Sequence, residues 1–324
     1  MTTGIVQTAR SANACPLAWN SSANITSKSV GANGTKSLLD NHSRKIFHSH
    51  TQDNEVITQI PLETFYKLNL TQLTINGNEI SSIPDEIQHL QNLHHLVLSK
   101  NKIKTINPKV FSLKKLTVLD LSGNRITAFP TGLGSLGATL EQLYLNGNAL
   151  ESIPDEIGTL VELQMLGLND NLLNSISDEI LKCVSLLELG LERNKFNFLS
   201  SAVCQVESLV KLGLSGNSLT NLPKSIVNLT QLELLLLEDN CFTFVPIEVF
   251  SLVQLKELSF SGNALQHIQP DIQKLQNLQL LNLQDNLLET LPEELWKLVG
   301  LVKLSLTGNK LSVISSSISK YIRV

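Results

Sequence analysis

The sequence predicts an α/β repeat fold, built by stacking many copies of one short strand, turn and helical segment. The first observation is a period, because asparagine recurs every 23 or 24 residues from Asn78 to Asn309. The second is that an apolar residue lies three, five and eight positions before each of these asparagines, and only Ile75 and Phe260 among them are not leucine. The third is a proline that usually follows the second apolar residue after the asparagine. A period of this length indicates stacked supersecondary units.

Each repeat can be read as three parts. The two leucines nearest the asparagine alternate with polar neighbours, and this period of two predicts a short strand with its leucines in the core. Proline fixes φ and can open a helical turn, and apolar residues spaced like Ile87 and Leu90 then predict a short helical or 3₁₀ segment. The repeating asparagines are Asn78, Asn101, Asn124, Asn148, Asn171, Asn194, Asn217, Asn240, Asn263, Asn286 and Asn309. We expect their side chains to turn inward and to hydrogen-bond backbone groups that become free where each strand ends.

The chain divides into three regions. Residues 1–45 are polar and lack periodicity, which predicts a disordered tail. Residues 46–69 keep the apolar and proline pattern of a repeat but lack its strand, so they predict a degenerate N-terminal capping repeat. Residues 70–324 predict eleven repeats, with one extra residue in the return loop before Asn148. Ser177 and Ser200 stand where proline is usual, and we expect looser return segments there.

These repeats resemble the leucine-rich repeat family, whose unit reads L-x-x-L-x-L-x-x-N-x-L-x-x-L-P-x-x-I-x-x-L, and the match covers about residues 70–324. The 23-residue length and the L-P step are similar to the intracellular class found in Ras-pathway scaffold proteins and in the Scribble and Erbin polarity proteins. The resemblance implies a curved, horseshoe-shaped solenoid with a parallel β-sheet on its concave face and short helical or 3₁₀ segments on its convex face. It also implies protein partners on the concave face, which could include a small GTPase, a protein phosphatase or a polarity complex.

Composition excludes several classes of protein. The formal net charge is -4 and no block of basic residues occurs, which argues against a nucleic-acid surface. No stretch approaches the roughly 18 apolar residues that a membrane span needs, and the N-terminus lacks the apolar core of a signal peptide. The four cysteines are far apart and form no C-x-x-C pair, which favours a reducing compartment. We therefore expect a cytoplasmic location.

The candidate site consists of side chains that flank the strand leucines and that we expect to face solvent on the concave face. The predicted protein-binding residues are Val97, Val118, Tyr144, Met165, Glu188, Glu192, Leu234 and Leu236. The first four form an apolar patch on adjacent strands, and Leu234 and Leu236 form a second together with Leu280. Between the patches, Gly167, Gly190 and Gly213 predict a shallow trough beside acidic residues. Contiguous apolar patches mark interfaces, and the acidic margin favours a partner with basic residues.

Two other patterns could indicate chemistry, and the context of both argues against it. Gly132, Gly134 and Gly137 spell G-x-G-x-x-G, but they lie in a return loop with no strand leading into a long helix. His94 and His95 lie near Asp120, but neighbouring strand residues point to opposite faces, so solvated side chains are expected. No motif of a hydrolase, P-loop enzyme, zinc protease or kinase occurs. We predict no enzyme activity, no cofactor and no metal.

The sequence therefore predicts a non-enzymatic intracellular scaffold or adaptor in signalling, which binds a protein partner on its concave face. Two alternatives stay open. One is the recognition arm of a larger enzyme, such as a ligase or kinase, and the other is an extracellular ligand-recognition domain. The identity of the partner and the oligomeric state do not follow from these residues.

Overall fold

The computed structural model describes residues 57–312, which form one open sheet of eleven parallel strands in chain order, joined by short 3₁₀ segments. The strands are β1 Gln72–Thr74, β2 His95–Val97, β3 Val118–Asp120, β4 Gln142–Tyr144, β5 Met165–Gly167, β6 Glu188–Gly190, β7 Lys211–Gly213, β8 Leu234–Leu236, β9 Glu257–Ser259, β10 Leu280–Asn282 and β11 Lys303–Ser305. The 3₁₀ segments are Leu62–Tyr66, Asp85–His89, Pro108–Ser112, Leu133–Leu136, Asp155–Thr159, Asp178–Lys182, Val203–Gln205, Lys224–Asn228, Ile247–Ser251, Pro270–Lys274 and Glu293–Lys297. The predicted fold class, an α/β repeat solenoid with 3₁₀ segments, is confirmed.

The strands pair in a register that follows the repeat. Leu96 of β2 lies opposite Leu119 of β3, one repeat further along the chain. The pairing of Val118 with Gln142 spans the repeat with the extra residue, and the register is unchanged. The return of this repeat is a four-residue 3₁₀ segment, Leu133–Leu136, flanked by glycines. The extra residue is therefore accommodated outside the sheet.

The core is a continuous stack of leucines behind the sheet. The central strand residues, such as Leu119, Leu166 and Leu212, are fully buried. Phenylalanine replaces leucine where the stack has room for a ring, and Phe242 packs edge-on against Phe260 with centroids 5.3 Å apart. Each repeat buries its apolar face only against its neighbours, which makes the stack one cooperative core.

The repeating asparagines form the predicted ladder inside the turn that follows each strand. The Asn101 side-chain amide donates to the carbonyl oxygens of Ile75 (2.8 Å) and Leu98 (3.0 Å), and its Oδ1 accepts from the Ile80 N–H at 3.1 Å. Each asparagine thereby bonds to the backbone of its own repeat and of the preceding repeat. The prediction that these residues satisfy buried backbone groups is confirmed.

Ser177 and Ser200 take over part of the role of proline at the start of two 3₁₀ segments. The Ser177 hydroxyl accepts from the Glu179 N–H at 3.1 Å and donates to Asp155 Oδ1 at 2.6 Å, and the segment that follows keeps five residues. The Ser200 hydroxyl accepts from the Ala202 N–H, but here the segment shortens to three residues. The Ser177 side chain caps the turn and the segment keeps its usual length, whereas the segment after Ser200 is shorter; the expectation of looser return segments stays a prediction.

The ends of the repeat array are described only in part. The 3₁₀ segment Leu62–Tyr66 places Phe65 in the core, and the Ile57 N–H donates to Asn78 Oδ1 at 3.1 Å. The predicted tail at 1–45, the first residues of the predicted cap and the chain after residue 312 lie outside the described residues, so those predictions stay predictions. None of the short helical segments between residues 57 and 312 has the length or apolar content that crossing a membrane requires.

Candidate functional site

The candidate site lies on the face of the sheet opposite the leucine core, which we call the open face. Tyr144 and Met165 lie on adjacent strands, and the Tyr144 hydroxyl is 3.2 Å from Met165 Sδ. Val97 and Val118 lie on the neighbouring strands β2 and β3. Leu234 and Leu236 lie together on β8, as the sequence requires. The structure therefore brings the predicted apolar residues into two groups, one on β2 to β5 and one on β8.

The exposure of these residues differs from the sequence expectation. Tyr144 and Leu234 are each only 3% exposed, and Val97, Leu236 and Glu192 are also buried. Val118, Met165 and Glu188 are half-buried. Strands about 4.8 Å apart bring equivalent side chains of adjacent repeats into contact, so each covers the next. The prediction that all eight project into solvent is wrong for the five buried residues.

The predicted glycine trough is also largely filled. A Cβ at Gly167 would lie 2.7 Å from Asn146 Nδ2 and 3.0 Å from Tyr144 Cδ1. A Cβ at Gly213 would lie 2.7 Å from Glu192 Oε1. Gly167 and Gly213 therefore make room for neighbouring side chains that lean across the sheet.

A second hydrogen-bond ladder runs along the open face, two residues before the repeating asparagines. Asn146 Oδ1 accepts from the Asn169 N–H at 2.9 Å, and Asn169 Oδ1 accepts from the Glu192 N–H at 2.8 Å. The same step recurs where Ser215 accepts from the Glu238 N–H. This ladder was not predicted, although the run of polar residues at this position is a visible signal in the sequence. The ladder positions Glu192 at the middle of the open face.

Negative charge on this part of the open face is only partly compensated. Lys211 Nζ pairs with Glu188 Oε1 at 2.6 Å, and Arg193 binds Asp170 with two hydrogen bonds of 2.5 and 2.8 Å. Glu192 makes only a 3.5 Å contact with Arg193, and burial raises the pKa of its carboxyl. The nearby basic side chains are thus engaged by other carboxylates, which leaves Glu192 poorly neutralised.

The carboxylate of Glu238 lies two repeats beyond Glu192 and raises the Glu192 pKa further. Glu238 Oε1 accepts from the Ser259 hydroxyl at 2.6 Å, so its position is determined by a hydrogen bond. Apart from the 3.5 Å contact of Arg193 with Glu192, no ion pair among the described residues neutralises either carboxylate, so the two attract a basic group from outside.

Arg193 and its partner Asp170 share an unusual backbone conformation. Arg193 and Asp170 both have positive φ, 49° and 56°, at the position where most repeats carry glycine. Such a conformation costs free energy in residues with a side chain. The Arg193 side chain extends over Gly216, where an added Cβ would lie 2.8 Å from Arg193 Cγ. The pair lies beside Glu192 and is joined by two hydrogen bonds.

The G-x-G-x-x-G loop holds a carboxylate of this chain. Glu156 Oε1 accepts from the N–H groups of Gly132 at 2.9 Å and Gly134 at 3.0 Å. These are the donors that a phosphate would need. Between residues 57 and 312, no cluster of three or more His, Cys, Asp or Glu side chains is arranged to hold a metal ion.

Comparison with known proteins agrees with this geometry. The sequence model of the leucine-rich repeat family matches residues 68–126, 91–150, 138–196 and 253–311, together more than half of the chain. No significant match was found among curated proteins.

Three similar solved structures indicate how widely the architecture is used. A leucine-rich-repeat protein of Leptospira interrogans is 27% identical, with a TM-score of 0.58, and the alignment covers 79% of this chain and 88% of that one. The ectodomain of the Arabidopsis thaliana receptor kinase GASSHO1/SCHENGEN3, solved in complex with CASPARIAN STRIP INTEGRITY FACTOR 2, is 28% identical with a TM-score of 0.60; the alignment covers 77% of this chain and 34% of that one. A chain from the complex of Latrophilin 3, Unc5D and the leucine-rich repeats of FLRT2 is 25% identical with a TM-score of 0.66, and coverage is 81% and 82%.

Proposed function

Because the chain belongs to the leucine-rich repeat family, we propose that it is a non-enzymatic interaction scaffold that binds a protein partner on the open face of its sheet. The observation that carries the proposal is the incompletely neutralised carboxylate of Glu192 at the middle of an eleven-strand face. Eleven strands at about 4.8 Å give a surface roughly 50 Å long, which suits a protein domain better than a small metabolite.

The chemistry of the partner follows from the charge on this face. The paired ions Glu188–Lys211 and Asp170–Arg193 border Glu192, and Glu238 faces it from two repeats away. A lysine or arginine from a partner would neutralise the buried carboxylate, and the half-buried Met165 and Val118 would add apolar contact. We therefore assign a partner with a basic residue at the centre of its interface.

The cellular role is proposed on the resemblance to intracellular repeats of 23 residues. In this role the chain acts in the cytoplasm as a signalling scaffold, and its partner is a small GTPase, a protein phosphatase or a polarity complex. The absence of disulfide-type cysteine spacing supports a reducing compartment.

A second candidate function is ligand recognition for a larger or extracellular protein. It is favoured by the similarity to the ectodomain of a plant receptor kinase, of which this chain spans 34%. In that case the open face would bind a ligand, and any catalysis would belong to a separate domain.

Affinity capture with the full chain tests the proposal. We expect Glu192→Gln and Val118→Asp to lose the partners that the wild-type chain captures from cells of its source organism. The matched control is Glu151→Gln, which makes the same chemical change at an exposed position away from the open face. Capture should also weaken as salt concentration rises, because a charge pair is screened.

Circular dichroism and melting temperature must show that both open-face variants are folded. If they fold and still capture every wild-type partner, the open face is not the binding site. Fractionation of the source cells distinguishes the two candidate roles, since a scaffold and its partner would be cytosolic, whereas a recognition ectodomain would be exposed on the cell surface.

A further inference from the structure

A groove lies on the flank of the solenoid, where four consecutive repeats leave the strand turn and enter their 3₁₀ segments. Its volume is about 790 Å³, and it is lined by Asp155, Ser177, Asp178, Phe198, Ser200 and Pro223, among others. We call it the flank groove. It includes the two repeats in which serine replaces the usual proline. These serines have no role in the function proposed above.

Ser177 and Ser200 position the carboxylates of the groove. Ser177 donates to Asp155 Oδ1 at 2.6 Å, and Ser200 donates to Asp178 Oδ1 at 2.5 Å. Both hydroxyls also accept a backbone N–H, and the single O–H donor of each is used by the aspartate. A carboxylate can accept several hydrogen bonds, and the second oxygen of each aspartate is free of the serine contact. Two carboxylates are thereby held in the same orientation, one repeat apart.

The charge of the groove is negative. Asp155, Asp178 and Glu179 line it, and its lining includes no lysine, arginine or histidine. Glu179 is paired with Lys182, so the two aspartates carry the uncompensated charge. A ligand of this groove must therefore supply positive charge.

Phe198 adds an exposed aromatic ring to this acidic surface. It is 57% exposed, an unusual state for a phenylalanine in a chain with so extensive an apolar core. The equivalent position two repeats further on is Phe244, which is 41% exposed but is not part of the groove lining. The combination of ring and carboxylates thus occurs in the flank groove, and Phe244 provides an internal control.

A ring beside carboxylates is the surface that a guanidinium group recognises. Arginine stacks its planar cation on an aromatic face and donates hydrogen bonds to carboxylates at the same time. Lysine carries a compact charge and uses such a surface less well. The groove involves residues of four repeats, which suits an extended peptide segment better than a single free ion.

We propose that the flank groove binds an extended basic segment of a partner protein through an arginine that stacks on Phe198 and is hydrogen-bonded by Asp155 and Asp178. This site is separate from the open face and does not depend on the function proposed for it. It gives the chain a second interaction surface that a partner can occupy while the open face is engaged.

The test uses the full chain and fluorescence anisotropy. The probe is a fluorescein-labelled octapeptide of glycine and serine that contains two arginines, compared with the same peptide containing two lysines or two glutamates. We expect saturable binding of the arginine peptide, at least threefold weaker binding of the lysine peptide, and no binding of the glutamate peptide.

Substitutions then locate the site. Phe198→Leu keeps apolar bulk but removes the ring, and we expect a loss of roughly two- to fivefold in affinity, the size of an exposed cation–π contact. Phe198→Trp should bind more tightly than the wild type, because tryptophan offers the best face for a cation. Phe244→Leu should bind as the wild type does. Replacing Asp155 and Asp178 together with asparagine should cost tenfold or more.

Several results would overturn the proposal. These are the absence of saturable binding, equal affinity for the arginine and lysine peptides, or equal behaviour of Phe198→Leu and Phe244→Leu. A loss of peptide binding in Glu192→Gln with no loss in Phe198→Leu would place the peptide on the open face and would also refute the flank site. Because Phe198 is mostly exposed, its variants should fold, and their melting temperatures check this.

Discussion

Replacing Asn171 with alanine tests how the inner asparagine ladder stabilises the fold. The Asn171 side chain is 5% exposed and makes four hydrogen bonds. Its amide donates to the carbonyl oxygens of Leu145, Leu168 and Asn169, and its Oδ1 accepts from the Leu150 N–H at 3.0 Å. Alanine removes all four bonds and supplies no polar group in their place.

The four bonds do not contribute equally, because the carbonyl oxygens have other donors. The Leu145 oxygen also accepts from Asn148, and the Leu168 oxygen also accepts from Asn194. The Leu150 N–H has its described partner only in Asn171. One buried donor is therefore left unsatisfied, and we expect a loss of about 1–3 kcal/mol in the free energy of unfolding.

A pair of double variants tests this reasoning more sharply. Asn148→Ala with Asn171→Ala takes both donors away from the Leu145 oxygen, so the destabilisation should exceed the sum of the single changes by about 1 kcal/mol. Asn171→Ala with Asn217→Ala affects no common carbonyl and should be additive within about 0.5 kcal/mol.

Urea unfolding followed by circular dichroism measures these differences. Asn174→Ala is the matched control, since it makes the same change at an exposed position three residues away. The reasoning is refuted if Asn171→Ala is as stable as this control, or if both double variants are additive. The first result would mean that the Leu150 N–H finds another acceptor, and the second that sharing of the carbonyls has no energetic consequence.

Three further predictions concern the open face and the end of the sheet. Tyr144→Ala should lower stability by about 3 kcal/mol, because the ring is buried between strands; a variant as stable as the wild type in urea would contradict this packing. Burial raises the pKa of the Glu192 carboxyl in the folded chain. At a pH between the ordinary pKa and this raised pKa, the folded chain keeps a proton that the unfolded chain loses, so the free energy of unfolding falls as pH rises through this range. Glu192→Gln should therefore be more stable than the wild type at pH 7, and its urea midpoint should fall less over this range. In hydrogen exchange, Lys303–Ser305 should exchange faster than Glu188–Gly190, because between residues 57 and 312 β11 pairs on one side and β6 on both; equal protection would show that the edge of β11 is covered.

For Tyr144, the sequence predicted the face of the sheet on which the side chain lies but not its burial. The period of two correctly placed its side chain on the face opposite the leucines. The same argument predicted solvent exposure, but the ring lies against Met165 and over Gly167. Which face a residue occupies depends on its own strand, whereas its burial depends on the residues at the same level in the neighbouring repeats.

The inner ladder, by contrast, could be predicted in detail. An asparagine that recurs every 23 residues after a strand lies beside the same unpaired backbone groups in each repeat. The spacing alone is therefore sufficient to predict its hydrogen bonds. The strand positions and the site of the extra residue before Asn148 followed from the same regular spacing. The predicted return segments needed only the proline and the apolar positions that follow it.

Contacts between unlike residues of adjacent repeats were decided only in the tertiary structure. Three such contacts join positions about one repeat apart. Arg193 donates two hydrogen bonds to Asp170, Glu192 lies over Gly213, and Ser177 donates to Asp155. The sequence by itself determined the period, the core and the ladder, because these depend on positions that recur in every repeat. The charge balance of the open face and the shape of the flank groove depend on side chains that do not recur, and stacking the repeats brings those side chains within a few ångströms of one another.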